Sequence, residues 1–427
     1  MKNSGVEWIG EIPDDWEVKK VKHSFVRKNE KAMQENPIVL SLARTGVRER
    51  DISNNEGQLA ESYYNYNPVD VDDLLINPMD LYSGANCSIS KVKGVISPAY
   101  INLRAKKNVS PVFYDYYFKV QYWMMAFFAH GNGVSFENRW TLNNETLQNY
   151  PIVAPSFETQ QRIASYLDKK CSKIEETIQN QQQVIEKLKA YKQSLITEAV
   201  TGKVKIENGK ACGEYESYKD SGVEWIGKIP SEWEVKKLKF SSQIMRGLFS
   251  HRPRNDPDYY DGVHPFIQTG EVARAVKYIT TYSQTLNELG FSVSREFPAG
   301  TVLLTIAANV GDVAILDFNA CFPDSVIGFY PKENVSKIFM FYVLKSMKEQ
   351  FMRNAIISTQ MNLNINIVKE EFIPLPSLAE QNEIVKFLEK KSDYIDTAIE
   401  QKQELIEKLT EYKKSLIYEC VTGKKEI

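Results

Sequence analysis

Between residues 155 and 203, seam positions recur at alternating intervals of three and four: Leu167, Cys171, Ile174, Ile178, Gln181, Ile185, Leu188, Lys192, Leu195 and Ala199. The rhythm returns between residues 376 and 424 through Leu388, Ser392, Ile395, Ile399, Lys402, Ile406, Leu409, Lys413, Leu416 and Cys420. This spacing predicts two long helices, each with a seam for a partner helix. Pro155 and Pro376 break the chain ahead of each, and Ser156 and Ser377 are placed to cap it. Gly202 and Gly423 end the pattern, each followed by lysine. About 40 residues at 1.5 Å each make a rod of roughly 60 Å. Polar residues interrupt both seams at matching places, Gln181 with Lys402 and Lys192 with Lys413. Such positions weaken a coil but fix its register and partner. The expectation is that the two helices pair with each other, antiparallel, within one chain.

Outside the long helices the pattern shortens to strand length. Residues 37–42, 71–76 and 94–103 read as strands, and 111–128 as a helix with an aromatic face. Further on, 302–307 and 313–316 read as strands and 336–351 as a helix. The aromatic residues Tyr114, Tyr117, Trp123 and Phe127 are read as core rather than as a platform for stacking bases.

An internal repeat organises these elements. Residues 4–20, SGVEWIGEIPDDWEVKK, return at 221–237 as SGVEWIGKIPSEWEVKK with three differences, and 155–203 return at 376–424. The offsets, 217 and 221, are nearly equal, so two frames of similar size hold two dissimilar inserts. The chain divides into a repeat segment (1–22), an insert (23–151), a helix (152–203), a linker (204–218), a second repeat segment (219–239), a second insert (240–372) and a second helix (373–427). The fold class expected is α+β with a pseudo-two-fold internal repeat: two mixed α/β domains separated by two long antiparallel coiled-coil helices. A duplication of this kind is the intramolecular counterpart of a symmetric dimer and places an insert at each end of the rod.

Composition adds limits. The formal net charge is −2, so any surface for an anionic polymer must come from local segregation of Lys and Arg. Five scattered cysteines form no CxxC pair, which argues against zinc and disulfides. No run of about 18 apolar residues is present. Residues 1–10 lack the basic start and apolar stretch of a signal peptide, so a cytoplasmic location is expected.

Basic residues do concentrate in polar segments of both inserts. In the first they are Arg44, Arg48, Arg50, Lys91, Lys93, Arg104, Lys106, Lys107 and Arg139. In the second, Arg246, His251, Arg252 and Arg254 fall within MRGLFSHRPRND, which Gly247, Pro253 and Pro257 mark as loop. Arginine binds guanine bidentately and also neutralises phosphate. Asn132, Asn138, Gln268, Asn309, Gln360 and Asn362 carry the amides suited to adenine.

Catalytic motifs fail at specific residues. Residues 222–228 fit the first positions of a phosphate-binding loop until Ile229, where Ser or Thr must follow, and the other copy has Glu11 in place of Lys228. Ser97-Pro98-Ala99-Tyr100 resembles an amino-methyltransferase loop, but Ala99 stands where a second proline is needed. Gly131-Asn132-Gly133 is isolated, Asp14, Glu17 and Lys19 are too tightly spaced for a nuclease set, and the four histidines are unpaired. No catalytic or metal-ligating residue is assigned.

With the repeated SGVEWIG…WEVKK segments, Pro374-Leu375-Pro376 with Glu380-Gln381, and the twice-occurring SLI…VTGK tail (KSLI in the second copy), the chain resembles the specificity subunit of type I restriction–modification systems. The resemblance covers essentially the whole chain. Ala154-Pro155 and Thr159-Gln160 in the first copy depart from Leu375-Pro376 and Glu380-Gln381 in the second, at the helix entry only. It implies that 23–151 and 240–372 are target-recognition domains, each reading half of a bipartite double-stranded DNA site, with the helices as spacer. It implies two methyltransferase subunits bringing S-adenosylmethionine, and two translocating nuclease subunits bringing ATP and magnesium, with none of these cofactors bound by this chain. Half-sites centred about one helical turn apart, roughly 34–36 Å, are expected. The alternative left open is a coiled-coil adaptor that joins proteins without reading DNA.

Overall fold

The computed structural model describes residues 1–53, 60–79, 81, 86–133, 140–357 and 361–427. Four of its helices organise the chain: α1 (Pro111–Trp123), α2 (Phe157–Val200), α3 (Lys337–Ser346) and α4 (Leu378–Val421). The residues gather into two compact units, Met1–Gln182 with Gln403–Ile427, and Gln183–Lys402. Each unit therefore owns part of α2 and part of α4, and the fold class is α+β.

In the unit Met1–Gln182 with Gln403–Ile427, a four-stranded antiparallel sheet takes the spatial order 25–28, 101–105, 74–76, 87–89. α1 covers it, burying Phe113, Tyr114, Tyr117 and Phe118, and Phe127 beyond its end joins them. The same core holds Leu167, Cys171 and Ile174 of α2 with Leu416, Ile417 and Cys420 of α4. The start of one long helix thus lies against the end of the other, antiparallel. In the unit Gln183–Lys402, a five-stranded sheet in the order 242–246, 326–331, 302–305, 313–316, 278–279 packs against α3. Its core continues into Ile196, Ala199 and Val200 of α2 and Ile384, Phe387 and Leu388 of α4. A second, four-stranded sheet in this unit takes the order 284–286, 260–266, 320–321, 296–297. In both units the insert and the helix pair share one core, so the insert is held rigidly on its frame.

The inserts, unlike in sequence, follow one plan. Strand Glu17–Lys20 pairs with Pro151–Ala154, and Glu234–Lys237 pairs with Phe372–Leu375, so a short antiparallel ladder closes the neck of each insert. Ser110 caps α1 by accepting from the Phe113 N–H, and Ser336 caps α3 by accepting from that of Phe339. The buried Gln160 accepts from the Ser110 N–H at 2.8 Å and donates to the Pro155 carbonyl at 2.9 Å. Gln381 makes the equivalent bonds to Ser336 and Pro376 and a third to Asn334. Each glutamine ties its insert helix to its long helix, which is why this polar residue is buried.

The long helices begin at Ser156 and Ser377, whose hydroxyls accept from the N–H groups of Thr159 and Glu380. They end at Gly202 and Gly423, with φ of +70° and +74°. A Cβ at Gly202 would overlap Pro230, and one at Gly423 would overlap Pro13, so each glycine also admits a repeat segment against the helix end. Seam residues from Leu167 to Ala199 and from Leu388 to Cys420 are buried or half-buried. Two of the three seam lysines form ion pairs: Lys192 meets Asp396 at 2.6 Å in one unit, and Lys413 meets Glu175 at 2.8 Å in the other.

Several sequence expectations change. The strand expected over 94–103 is two strands, Gly94–Ile96 and Ile101–Ala105, in different sheets. Pro98, which has no N–H, sits in a turn closed by the Tyr100 N–H on the Ser97 carbonyl. The strand over 71–76 begins at Leu74 after a turn with Asp72 at φ +67°. The helix over 111–128 ends at Trp123, because Met125 adopts φ +57°. The helix over 336–351 breaks at Met347 into α3 and Lys348–Asn354. Tyr114, Tyr117 and Phe127 are core, while Trp123 is exposed.

Candidate nucleic-acid interface

In the unit Gln183–Lys402, three of the arginines singled out from the sequence converge on one residue, Asp324: two on its carboxylate and one on its backbone carbonyl. Arg246 ends strand Ser242–Arg246, whose neighbour Val326–Pro331 brings the loop 322–325 alongside it. The Arg246 Nε donates to the Asp324 carbonyl at 2.5 Å. Arg254 Nη2 donates to Asp324 Oδ1, and Arg252 Nη2 lies 3.5 Å from Oδ2. An open cleft of about 500 Å³ is lined by Arg246, Arg254, Asp324, Ser325, Asn362 and Asn364. A second, of about 320 Å³, is lined by Arg254, Asn255, Tyr260, Gln268 and Gln284. Arg254 borders both.

The remaining candidates of this unit take other positions. Gln268 stands before helix Thr269–Arg274, and its Nε2 donates to Gln284 Oε1 at 2.9 Å. His251 stacks on Tyr259 with centroids 3.8 Å apart, its Nε2 2.9 Å from Asp256. Asn309 is exposed in the turn between Val302–Thr305 and Val313–Leu316, its carbonyl accepting from the Thr305 hydroxyl. Gln360 lies outside the described residues.

In the other unit, Arg44 occupies the turn of the hairpin formed by Leu40–Ala43 and Gly46–Glu49, Arg48 is exposed on its second strand, and Arg50 follows. The hairpin sits beside Gly94–Ile96, where the Val95 N–H donates to the Ile38 carbonyl at 2.8 Å. Lys91 and Lys93 are exposed in the turn just before that strand. Arg104 has work inside the fold: Nε donates to Asp73 and Nη2 to Asp70, each at 2.7 Å, with Lys28 3.0 and 3.1 Å from the same two carboxylates. Those hydrogen bonds from Arg104 and Lys28 hold the Asp70 carboxyl far below the usual range. Asn138 and Arg139 lie outside the described residues.

Sequence reasoning missed Asp324, Gln284 and the two seam acids. Glu175 and Asp396 were legible: they occupy equivalent repeat positions, 221 residues apart, as Lys192 and Lys413 do. Asp324 carries no local signal, since only the pairing of strands 242–246 and 326–331 brings it to the arginines. Residues 222–228, the near-miss for a phosphate loop, form a turn and the start of strand Lys228–Pro230, which is followed by a turn and strand Glu234–Lys237 rather than directly by a helix. Among the described residues, no group of three or more His, Cys, Asp or Glu is placed to hold a metal, and no helix is long and apolar enough to cross a membrane.

Comparison with known proteins agrees with this architecture. The type I restriction modification DNA specificity domain matches twice, at residues 13–190 and 230–410. The specificity subunit of the type I restriction enzyme EcoBI of Escherichia coli is 25% identical over 357 residues, 80% of this chain and 70% of that protein. The MjaIX specificity subunit of Methanocaldococcus jannaschii is 32% identical over 180 residues, 41% of this chain and 40% of that protein. A solved chain from work on complex assembly and conformational transition of the type I R-M system superposes with a TM-score of 0.73 at 15% identity, covering 97% of this chain and 100% of that one. With two matches that together span most of its length, each laid over one insert and its frame, the chain belongs to the type I restriction–modification DNA specificity family.

Proposed function

We propose that the chain is the sequence-reading subunit of a DNA-modifying complex, that each insert reads one half of a bipartite double-stranded site, and that it forms or breaks no bond itself. The observation that carries this reading is the pairing of a repeated frame with two inserts of one plan, each presenting basic side chains from strand ends and turns. Arg44, Arg48, Lys91 and Lys93 are presented in one unit, and Arg246, Arg252 and Arg254 in the other. A duplicated frame with divergent surfaces suits two half-sites of different sequence.

The frame repeats in its exposed side chains as well. Tyr191 and Tyr412 occupy equivalent positions and are each 54% exposed. An exposed aromatic kept in both copies suits a partner that docks twice. Two methyltransferase subunits fill that role in this proposal, supplying S-adenosylmethionine, and two translocase subunits supply ATP and magnesium chemistry. The test is DNA binding by the assembled methyltransferase complex across a salt series. An affinity that falls steeply and linearly on logarithmic axes, with methylation at one split motif of fixed gap, supports the proposal. Salt-insensitive or absent binding favours an adaptor that does not read DNA.

A further inference from the structure

We infer that Arg254 and Asp324 act as one unit that reads a single G·C base pair, a deepening that rests on the DNA-reading function proposed above. The guanidinium and carboxylate lie side by side, joined through Arg254 Nη2 and Asp324 Oδ1. The other N–H groups of Arg254 have no partner among the described residues, and the pair is part-exposed, at 45% and 32% of the side chains, on the wall of a cleft. The pair therefore offers N–H donors from arginine and, next to them, an acceptor from aspartate. The major-groove edge of G·C offers the complement in the same order: two acceptors on guanine, then the amino donor of cytosine. Adenine would turn its amino donor toward the arginine donors, and thymine would turn a carbonyl toward the carboxylate, so A·T is refused.

Two further observations support base reading over a phosphate contact. A carboxylate within hydrogen-bonding distance of the guanidinium would face a bound phosphate with like charge, whereas cytosine meets it with a donor. The pair is also held in place before any ligand arrives. The Arg254 carbonyl accepts from the Tyr260 hydroxyl. The Gly247 N–H donates to the Val326 carbonyl at 2.9 Å and the Leu248 N–H to the Phe322 carbonyl at 3.0 Å, which fixes the two loops together. Asp324 is thus both a reader and a positioning residue: with Arg252 near its second oxygen and Arg246 on its carbonyl, it sets the angle at which Arg254 leaves the surface.

The experiment uses the full chain in complex with its methyltransferase partner and a library of duplexes randomised at every position of the split motif, with methylation read by sequencing. Arg254→Gln and Arg254→Lys are each expected to reduce the preference for G·C at one position of one half-site by about ten- to a hundredfold. Asp324→Asn is expected to relax that same position while binding to unrelated duplex is unchanged or tighter, and Asp324→Glu to restore part of the preference. Preferences in the other half-site serve as an internal control and stay unchanged. Should Arg254→Gln not fold, as judged by thermal unfolding, Arg254→Lys and Asp324→Asn decide. An even loss across all sequences in folded protein, with a shallower salt dependence, would reveal a phosphate contact and overturn the inference, as would unchanged preferences in all variants. A wild-type complex without any sequence preference would instead defeat the DNA-reading function itself.

Discussion

Lys192 of α2 and Asp396 of α4 meet at 2.6 Å, and their repeat equivalents, Lys413 and Glu175, meet at 2.8 Å in the other unit. In both units a residue from one repeat pairs with a residue from the other, the pattern of an isologous contact. The pair Lys192–Asp396 is the more buried, with side chains 15% and 34% exposed against 23% and 55%. Lys192→Ala is therefore expected to cost about 1–2 kcal/mol and Lys413→Ala under about 1 kcal/mol. Exchanging the charges, Lys192→Asp with Asp396→Lys, should recover most of the loss. A double-mutant cycle in urea measures this, and a coupling energy near zero would remove the pair as a register device.

The helix ends give a second expectation. Gly202→Ala and Gly423→Ala each force a side chain into a left-handed conformation and against a proline of the repeat segment. Each should lower stability by about 2 kcal/mol or more in thermal unfolding. Ser194→Ala, on the exposed face of α2, should be neutral within about 0.5 kcal/mol. Equal effects at the three positions would contradict the close approach at the glycines.

The buried glutamines give a third. Gln381→Leu leaves the Ser336 N–H and two carbonyls without their partner, and Gln160→Leu leaves one N–H and one carbonyl. Both should destabilise, by about 2–4 kcal/mol, with Gln381→Leu the worse. Hydrogen exchange should show faster opening at the start of α3 and α1, respectively.

Lys345 gives a prediction in pH. Burial, with Lys192 next in weight, pushes its ammonium down to about 8. The folded value lies below the ordinary lysine value, so the unfolded chain binds more protons between the two. This penalty is full below about pH 8 and is relieved as pH rises toward the ordinary lysine value. Lys345→Met is expected to stabilise the protein at pH 7 by about 2 kcal/mol, an advantage that shrinks as pH is raised through that window. A gain independent of pH would point to packing alone.

Much of the frame was legible because it depends on local rules. Heptad spacing located α2 and α4, serines and glycines marked their ends, and near-identical segments exposed the repeat. The repeat extends further back than the sequence reading placed it: Leu142-Asn143 and Leu363-Asn364 also stand 221 residues apart, and both asparagines cap short helices. The common plan of the inserts was hidden, because a shared sheet order needs only apolar residues at matching positions, not identical ones. Arginines could be nominated singly, but their partners depend on strand pairing. Asp324 joins Arg254 across 70 residues, and Asp70 and Asp73 join Arg104 across more than 30, which no local pattern records.

In the proposed function each insert is an independent reader on a common frame, the first closed at its neck by the ladder between Glu17–Lys20 and Pro151–Ala154. The chimera to measure replaces residues 23–150 with the corresponding insert of another family member, leaving both ladder strands intact, and the methylated sites of a host that expresses it with its methyltransferase are sequenced. The expected result is a split motif in which one half changes while the other half is retained. A motif changed in both halves, or in neither, would contradict it.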